Sequence, residues 1–345
     1  MVAALIVILG AILFILLIGA YISAPTYRGS ITDHFDGKKF INPGNVKEKG
    51  LLDVFKWMFS RERTKWEKLE TNEYGPKPPA LVNSGIRITF INHTTFLIQI
   101  KGLNILTDPI WSNRASPFSW AGPKRMRNPG IRFEDLPHIH AVFLSHNHYD
   151  HLDLPSLKNI VQKFNPRIFT GLGVGEFLEK HDMDFFVEMD WWQEFLMSKD
   201  ATLTAVPAQH FSGRGMFDRD GTLWMGFVIK TDDGNIYFAA DTGYNEHTFK
   251  EIGERCAPIR ISIIPIGAYK PQWFMKPIHC SPEEAVRIHI DVRSRESIAS
   301  HFGTFPLADE GRDDPPRDLK EALTKYNLPE QEFIVLKEGQ SRGFQ

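Results

Sequence analysis

The feature that most constrains how this chain folds is a cluster of histidines and aspartates that directly follows an apolar run. The stretch AVFLSHNHYDHLD at 141–153 indicates a buried strand, followed by His146 and His148, and then by Asp150 and His151 where a helix is expected to start. Packing alone explains such crowding poorly. Imidazole and carboxylate are good ligands for zinc and related divalent ions, so this corner predicts a metal site.

The other ligands of such a site are expected at other strand ends, because these neighbouring residues cannot surround two metal ions by themselves. Three stretches supply one candidate each: AVPAQH ends at His210, IYFAAD at Asp241 and SIASH at His301. Each candidate follows an apolar run, as side chains at the rim of a sheet do. The sequence therefore predicts that these three residues meet the cluster at 146–151 in space.

The composition limits what else the chain can be. Cys256 and Cys280 are the only cysteines, which excludes a disulfide framework and suits a reducing compartment. The same count excludes a zinc site built from thiolates, so any metal must be held by histidine and carboxylate. The formal net charge of -2 gives no overall attraction for nucleic acid, so we expect no nucleic-acid partner and disfavour a ribonuclease.

The first segment, MVAALIVILGAILFILLIGAYIS, has no charged side chain, and the first charge comes at Arg28. Roughly 20 apolar residues in a helix span the hydrocarbon core of a bilayer, so we expect an uncleaved single-pass membrane anchor over 1–25. A cleaved signal peptide is the alternative, but a basic n-region is missing and Ala24 offers only a weak cleavage site. The basic residues that follow the helix place the body in the cytoplasm by the positive-inside rule. They are Arg28, Lys38, Lys39, Lys47 and Lys49.

A connector over 26–83 is expected to join this anchor to a body over 84–345. Within it, LLDVFKWMFSRERTKWEKL at 51–69 has apolar residues at helical spacing, followed by a basic cluster. This pattern predicts an amphipathic helix that lies either on a membrane or against the body. The stretch EYGPKPPA at 73–80 predicts an irregular linker, because its prolines disfavour helix.

Strands and helices follow one another along the body, which predicts an α/β (α+β) fold with two mixed sheets covered by helices. Successive strands are expected within 85–109. Further strands are expected at 140–145, 167–171, 201–208, 223–231, 235–241, 261–267 and 296–303. Helices are expected at 154–164 and 281–291, the first capped by Asp153 and the second by Ser281 with Glu284 in a capping box.

The motif HxHxDH at 146–151, joined by His210, Asp241 and His301, resembles the metallo-β-lactamase superfamily. The resemblance narrows to the N-acyl-phosphatidylethanolamine-hydrolysing phospholipase D family and covers nearly everything from about residue 80 onward. It is carried by the stretches TDPIWSNRASPFSWAGPKR, EMDWW, FAADTGY, IPIGAYKPQWFMKPIHCSPEEAVRIHIDV and HFGTFPLADE.

The chain also departs from that family at a few positions. Asn92 and Thr94 flank His93 where the family usually has Gly and Ala, and Ala240 stands where Gly is common. The apolar N-terminal segment is less typical of the family. None of these changes removes a candidate ligand, although the first lies where it can alter the pocket.

The resemblance implies a four-layer αββα sandwich with two zinc ions in a cleft at its edge. It implies that one ion is held by His146, His148 and His210, the other by Asp150, His151 and His301, with Asp241 bridging the two. It further implies a phospholipid substrate at a membrane, and a homodimer.

The implied activity is that of a zinc-dependent phosphodiesterase. Two metals about 3.5–4 Å apart can activate a shared water, and the resulting hydroxide would attack phosphorus. Cleavage on the headgroup side would convert N-acyl-phosphatidylethanolamine into phosphatidic acid and an N-acylethanolamine. The catalytic candidates are Asp150, Asp241 and His279, the last as a proton donor to the leaving oxygen or as a phosphate ligand, with a structural histidine as the alternative.

Substrate-binding candidates lie on two stretches. Lys124 and Arg125 in GPKRMRNPG would meet anionic headgroups, or belong to a solvated loop. Tyr269, Trp273 and Phe274 in AYKPQWFM would form a wall for acyl chains, or fill the core. Two other functions stay open: a lactonase or other hydrolase of a soluble metabolite, since one metal frame serves many substrates, and an inactive metal-stabilised membrane scaffold.

Overall fold

Two sheets form the frame of the protein, and the strand order in each is simple. The computed structural model describes residues 2–44, 46, 49–67 and 73–344. The strands in this part of the chain are β1 (Ile86–Asn92), β2 (Thr95–Ile100), β3 (Leu103–Thr107), β4 (Ala141–Leu144), β5 (Arg167–Gly171), β6 (Phe186–Met189), β7 (Glu194–Ser198), β8 (Ala201–Val206), β9 (Gly226–Lys230), β10 (Asn235–Phe238), β11 (Ile259–Pro265), β12 (Ser294–Ser300), β13 (Phe333–Ile334) and β14 (Ser341–Phe344). The helices are α1 (Val2–Ile22), α2 (Leu51–Phe59), α3 (Leu154–Phe164), α4 (Gly175–Glu179), α5 (Glu246–Cys256), α6 (Gln272–Met275), α7 (Pro282–Asp291) and α8 (Asp314–Lys325).

Within the described residues each sheet has seven strands and mixes antiparallel with parallel pairs. The first sheet has the order β14-β1-β2-β3-β4-β5-β6, and the second has the order β13-β12-β11-β10-β9-β8-β7. Hairpins pair β1 with β2 and β2 with β3, whereas β3 to β6 run parallel; likewise β7 to β10 are antiparallel and β10 to β13 parallel. This arrangement confirms the predicted mixed two-sheet sandwich.

The main hydrophobic core contains side chains from both sheets. Phe143 of β4 shows the contact well, since its ring centroid lies 5.8 Å from that of Phe169 in the first sheet and 4.9 Å from that of Phe227 in the second. A second core cluster contains Leu157 and Ile160 of α3 together with Val142 of β4. Because β4 is buried on both faces, the sequence of this strand is an uninterrupted apolar run.

Both predicted cap residues occupy the N-cap position of their helix, but only one of them makes the expected capping hydrogen bonds. Ser281 accepts a hydrogen bond from the backbone N–H of Glu284, whose carboxylate in turn accepts from the N–H of Ser281, which is the predicted capping box of α7. Asp153 is the N-cap residue of α3, as predicted, but its side chain makes no capping hydrogen bond. Its carboxylate instead accepts from the N–H of Ser112 and from the hydroxyl of Ser156, so it joins α3 to the loop after β3.

The apolar N-terminal segment forms α1. Within it, the 19-residue stretch Ala4–Ile22 is long and apolar enough to cross a membrane. A signal sequence has the same pattern, so the helix is suited to either role. Its last turn contacts the body: the N–H of Met216 lies 3.4 Å from the carbonyl oxygen of Gly19, and the N–H of Ala24 donates to Asp218.

The connector packs into the body rather than lying apart from it. Phe35 and Phe40 belong to the main core, and the Asn42 side chain both donates to and accepts from the backbone of His210. The predicted helix over 51–69 is shorter than expected, since α2 ends at Phe59, and residues 68–72 lie outside the described part of the chain. The boundary expected at residue 84 stays a prediction.

The contact between the two sheets gives a direct test of this fold. Replacing Phe143 by Ala leaves a cavity where rings from both sheets meet, so we expect the free energy of unfolding to fall by about 3–5 kcal/mol. Leu196→Ala is the control, because this side chain is 67% exposed on β7, and its effect should stay within about 0.5 kcal/mol. Denaturant unfolding of the full chain in detergent micelles measures both. Equal effects of the two variants would show that Phe143 does not join the sheets.

Candidate metal centre

Three predicted ligands meet just beyond the ends of β4 and β8. Nε2 of His146 lies 2.8 Å from Nδ1 of His148, and Nε2 of His210 lies 3.3 Å from the same nitrogen. The backbone places them there because β4 ends at Leu144 and β8 at Val206, so that the loops after both strands reach the same point. These three nitrogens are close enough to bind one metal ion.

A second group meets beside the first. Nε2 of His151 and Nε2 of His301 lie 3.3 Å and 3.5 Å from one carboxylate oxygen of Asp150. Asp241, which follows β10, lies between the two groups: its Oδ2 is 3.2 Å from Nε2 of His151, 3.1 Å from that of His301 and 3.7 Å from that of His210. The structure therefore brings all the predicted ligands together, with Asp241 between the two groups.

Several of the candidate donor atoms lack a hydrogen-bond partner in the described part of the chain, as expected if they bind a metal. Nε2 of His151, both ring nitrogens of His301 and Oδ1 of Asp241 are buried and have no well-formed hydrogen bond within the described residues. Buried polar atoms normally find a partner, so several unsatisfied ones at one point call for an explanation. Divalent ions at this cluster, which can bind metal, would satisfy Oδ1 of Asp241 and the Nε2 atoms of His151 and His301.

The outward-facing nitrogens of the ligand imidazoles are fixed by hydrogen bonds. Nδ1 of His151 donates to Asp108 at 2.8 Å, and Ser145, which itself donates to Asp108, accepts from Nδ1 of His146 at 2.9 Å. On the other strand end, Nδ1 of His210 donates to the carbonyl oxygen of Ile278 at 2.8 Å. Each of these bonds sets the tautomer and directs Nε2 of the ring to the centre.

Burial and charge divide the histidines into two classes. Burial lowers the pKa of His146 and of His210 well below the ordinary value, and that of His148 to about 3, so this group is neutral. Burial acts the same way on His151 and His301, but the nearby carboxylates, that of Asp241 foremost, outweigh it. They raise the pKa of His151 well above its usual range and that of His301 to about 9.

The carboxylates respond in the opposite direction. Burial disfavours their charge, yet the neighbouring imidazoles, His151 foremost, hold the pKa of Asp150 and of Asp241 well below the usual range. Both carboxylates are therefore ionised. Ionised carboxylates beside neutral imidazoles form a donor set that divalent metals bind, and metal binding would displace the protons from His151 and His301.

Sequence reasoning missed two residues of this site. Asp108 lies directly after β3 and orients both His151 and, through Ser145, His146. His93, at the turn between β1 and β2, donates from Nε2 to the carboxylate of Asp150 at 2.9 Å, and its ring lies 4.1 Å from that of His301. The signal that could have found both residues is their position directly after a strand, which is also where the other predicted ligands lie.

A cleft of about 450 Å³ opens onto the centre. Asp150, His148 and His210 line its floor, and His279 lines it as well, with Nδ1 3.8 Å from Oδ2 of Asp241. Burial lowers the pKa of His279 to about 4, against the pull of Asp241. Most of the remaining lining is apolar and comes from α2, α6 and the loops beside them, namely Val46, Val54, Trp57, Phe211, Phe274, Met275, Pro277, Ile278 and Leu307.

The predicted substrate-binding residues divide into one that lines this cleft and four that do not. Phe274 lines it, with its ring 4.9 Å from that of Trp57. Trp273 lies next to this wall, 39% exposed. The role predicted for Arg125 is corrected, because its guanidinium is buried and donates to the carbonyl oxygens of Ile110 and Ser112.

Two further corrections concern Tyr269 and Lys124. Tyr269 is 3% exposed, and its hydroxyl donates to Asp318 on α8, away from the cleft. The alternative reading of this aromatic as a core residue is therefore the better one. Lys124 is exposed and pairs through its backbone with Arg114, outside the cleft lining, as a residue of a solvated loop would.

The hydrogen bonds of Asp108 generate a prediction about metal affinity. Asp108→Asn keeps the shape of the side chain but replaces one acceptor oxygen by a donor, so the hydrogen bonds from His151 and Ser145 to this residue are weakened. We expect a 10- to 100-fold loss in metal affinity, measured by titration of the chelator-treated protein with zinc. Asp232→Asn, at an 80% exposed carboxylate, should bind zinc as the unchanged protein does. Equal zinc affinity in both variants would show that Asp108 does not support metal binding.

Comparison with known proteins agrees with this geometry. Residues 103–302 match the family described as the beta-lactamase superfamily domain. The N-acyl-phosphatidylethanolamine-hydrolyzing phospholipase D 1 of Caenorhabditis elegans is 39% identical over 329 residues, which cover 88% of this chain and 92% of that protein. The mitochondrial enzyme of the same description from Saccharomyces cerevisiae is 33% identical over 235 residues, 66% of this chain and 49% of that protein.

The fold also matches solved structures. Igni18, a metallo hydrolase from Ignicoccus hospitalis, superposes with a TM-score of 0.57 at 19% identity, over 76% of this chain and 99% of that one. At that identity the match supports the fold alone. Together with the extent of the match to the Caenorhabditis elegans protein, these findings show that the chain is a metal-dependent hydrolase and belongs to the N-acyl-phosphatidylethanolamine-hydrolysing phospholipase D family of the metallo-β-lactamase superfamily.

Proposed function

We propose that this protein is a zinc-dependent phosphodiesterase that hydrolyses N-acyl-phosphatidylethanolamine to phosphatidic acid and an N-acylethanolamine. The observation that carries the proposal is the composition of the cleft. Histidine and carboxylate form its floor, where a charged phosphate is expected, and apolar side chains form most of its wall, where acyl chains are expected. A pocket that is mostly apolar with a few converging polar groups is typical of small-molecule sites.

The relatives support a phospholipid substrate over other substrates. The proteins of Caenorhabditis elegans and Saccharomyces cerevisiae are both described as hydrolysing this lipid, and the first aligns with most of the present chain. The apolar wall supports the same choice. Trp57 of α2 stacks on Phe274 of α6, with ring planes inclined by 18°, which continues the apolar surface from the body into the connector.

The proposed centre holds two zinc ions in the two groups of ligands described above. The first would be held by His146, His148 and His210, the second by Asp150, His151 and His301, and Asp241 would be shared. A pair of divalent ions supplies an activated water and neutralises charge on the phosphate during an in-line displacement. The donor set contains imidazole nitrogens and carboxylate oxygens only, which suits zinc.

The residues of the chain position the reacting groups. In the reaction the oxygen of water adds to phosphorus, the bond from phosphorus to the ethanolamine oxygen breaks, and that oxygen takes up a proton. His279 lines the cleft beside Asp241, which supports a contact between its neutral ring and the phosphate. To pass a proton to the leaving oxygen, the ring must first be protonated, which the negative charge of a bound phosphate would favour. Asp150 and Asp241 are catalytic through the centre that they hold, because a carboxylate committed to a metal is a poor free base.

The N-terminal helix fits this activity. An uncleaved anchor over 1–25, with the hydrolase domain on the cytoplasmic side, would hold the cleft next to membrane lipid. The helix is 21 residues long and lies outside the body over most of its length. A homodimer stays a prediction from the family resemblance.

Isotope labelling tests the reaction class. Full-length protein in vesicles that contain N-acyl-phosphatidylethanolamine should, in water enriched in ¹⁸O, place the label in phosphatidic acid and leave the N-acylethanolamine unlabelled, because the bond broken is between phosphorus and oxygen. Mass spectrometry of both products measures this. Label in the N-acylethanolamine, or release of a free fatty acid, would contradict the proposal, as would turnover that survives complete chelation of metal. Faster hydrolysis of a soluble lactone would favour the alternative hydrolase.

The role of His279 has its own test. His279→Ala should lower kcat by about 10²–10⁴ while the zinc content stays unchanged, because we propose that the residue contacts substrate. His279 also lies within ligand distance of His210 and Asp241, so a loss of zinc would mark it as a metal ligand instead. His247→Ala is the matched control, since this histidine is exposed on α5 and lies outside the cleft. Steady-state kinetics on the vesicle substrate, together with metal analysis of each variant, gives both quantities. Unchanged kcat in His279→Ala would remove this residue from the mechanism.

A further inference from the structure

Two elements that line the cleft also expose apolar side chains to solvent. The first is α2, which contributes Val54 and Trp57 to the cleft wall. The second is the loop over 211–221, which contributes Phe211 and Arg219. Exposed apolar clusters of this kind beside a binding cleft mark surfaces that other molecules cover.

The two faces of α2 differ in what they contact. Val54 and Trp57 pack on the small cluster around Phe274, and the indole N–H of Trp57 donates to Asp309. The outer face is apolar as well. Its exposed side chains follow helical spacing, with 85% of Leu52, 53% of Phe55, 57% of Met58 and 88% of Phe59 exposed. The helix is therefore packed on the body, as one of the two predictions for this segment had it, and it is also apolar toward solvent. Its placement on a membrane stays a prediction.

The loop over 211–221 joins the cleft to the end of α1. At its tip Met216 and Phe217 are 54% and 59% exposed. The N–H of Phe217 donates to the hydroxyl of Ser23 at 3.1 Å. A side chain in place of the hydrogen of Gly19 would meet the sulfur of Met216 at 2.5 Å, so the tip lies directly against the last turn of the helix. Gly19 is less than one turn from the end of the candidate span at Ile22.

A buried carboxylate fixes this contact. Asp218 is 1% exposed and accepts hydrogen bonds from the backbone N–H groups of Ala24, Arg214 and Gly215, at 2.9, 2.8 and 2.7 Å. The same loop begins directly after the ligand His210. The end of the helix is therefore joined, through a few hydrogen bonds, to the loop that carries one side of the metal centre, so the two cannot be at very different heights above a membrane.

Cations lie where this surface meets the cleft. Lys49 and Arg219 both line the cleft, and the ammonium groups of Lys49 and Lys56 lie 5.6 Å and 4.8 Å from the ring of Trp273. Tryptophan beside lysine is the pairing found where proteins meet the interface of a bilayer, because the ring is partly apolar and the cation faces phosphate. The charge thus complements lipid headgroups at the height of the cleft opening.

We propose that the outer face of α2 and the tip of the loop over 211–221 insert into the same bilayer that α1 crosses, so that the cleft opens onto the membrane and receives lipid from the adjoining leaflet. The occupant of this surface is a phospholipid bilayer, because the surface continues directly into α1 and carries cations at its inner border. The inference deepens the proposed phospholipase D activity and rests on it for the nature of the substrate. The expected depth of the inserted side chains is about 5–10 Å below the headgroups.

Site-directed spin labelling tests this placement without any substrate. Cys256 and Cys280 are both buried, so a single cysteine introduced at Phe59 or at Phe217 can be labelled selectively in the full chain. The protein is reconstituted in vesicles of phosphatidylcholine with a minority of phosphatidylglycerol. Collision of the label with oxygen, which concentrates in hydrocarbon, and with a water-soluble nickel chelate reports its depth. A label at Leu13 in α1 is the reference for hydrocarbon.

The reference for water is Lys199, an exposed residue at the turn from β7 to β8, since β8 runs from there toward His210 and the cleft. Labels at 59 and 217 should resemble the one at 13, with high access to oxygen and low access to nickel, and the label at 199 should show the reverse. Aqueous readings at 59 or 217, or at 13, would overturn the proposal. Low access to both reagents that depends on the ratio of protein to lipid would also overturn it, because a second copy of the chain would then cover the surface.

This outcome can be separated from the fate of the proposed function. If the labels insert but the protein does not hydrolyse the lipid, the proposed membrane contact is supported and the proposed phosphodiesterase function is contradicted. If the protein hydrolyses vesicle lipid but the labels stay in water, the function is supported and the membrane contact is contradicted. A double variant, Phe59→Glu with Phe217→Glu, gives a second reading: its KM for vesicle lipid should rise at least tenfold with kcat retained, while Leu196→Glu on β7 should change neither.

Discussion

The structure of the site depends on one electrostatic balance, in which buried carboxylates and imidazoles compensate one another at the end of the sandwich. Ionised groups are costly to bury unless charge or hydrogen bonds offset the loss of water. Asp241 is 3% exposed, yet its Oδ2 lies within 3.7 Å of ring nitrogens on His151, His210 and His301. These contacts keep Asp241 ionised, and the carboxylate in turn holds both histidine groups at one centre.

The two-sheet frame makes this balance possible because it brings together strand ends that are far apart in sequence. The predicted ligands follow β4 in the first sheet and β8, β10 and β12 in the second. Each loop carries only one or a few ligands, so none of them forms a site alone. The hydrogen bonds from Asp108, Ser145 and the backbone of Ile278 then fix the imidazole rings. Metal affinity and the integrity of the fold are therefore coupled, since displacement of any of these strands moves a ligand.

Much of this could be predicted from sequence because its signals are local. A buried strand such as β4 is an apolar run, and the ligands after it are adjacent in the chain. The positions of His210, Asp241 and His301 were predicted for the same reason. Asp108 was not, because a lone aspartate before proline is equally typical of a turn. The role predicted for Arg125 at the lipid headgroup was wrong. Its buried hydrogen bonds to Ile110 and Ser112 depend on tertiary contacts, which no local sequence pattern records.

Other differences have the same origin. Helix α5 and helix α8 were not predicted, since each has a mostly polar sequence whose few apolar residues become informative only when they pack into the main core. Ala240 differs from the common Gly of the family, and the structure shows why Gly is frequent there: φ is +54°, in the left-handed region. The residue precedes Asp241, so a costly backbone conformation is retained where it directs the carboxylate that lies between the two histidine groups.

The most direct test of the account is to locate the metal ions themselves. Crystals of the zinc-loaded protein, measured on both sides of the zinc absorption edge, give anomalous difference maps in which only zinc contributes strongly. The account predicts two peaks about 3.5–4 Å apart, one beside His148 and one beside His301, with Asp241 between them. A single peak, or zinc bound elsewhere with none beside Asp241, would contradict the dinuclear centre on which the proposed hydrolysis depends.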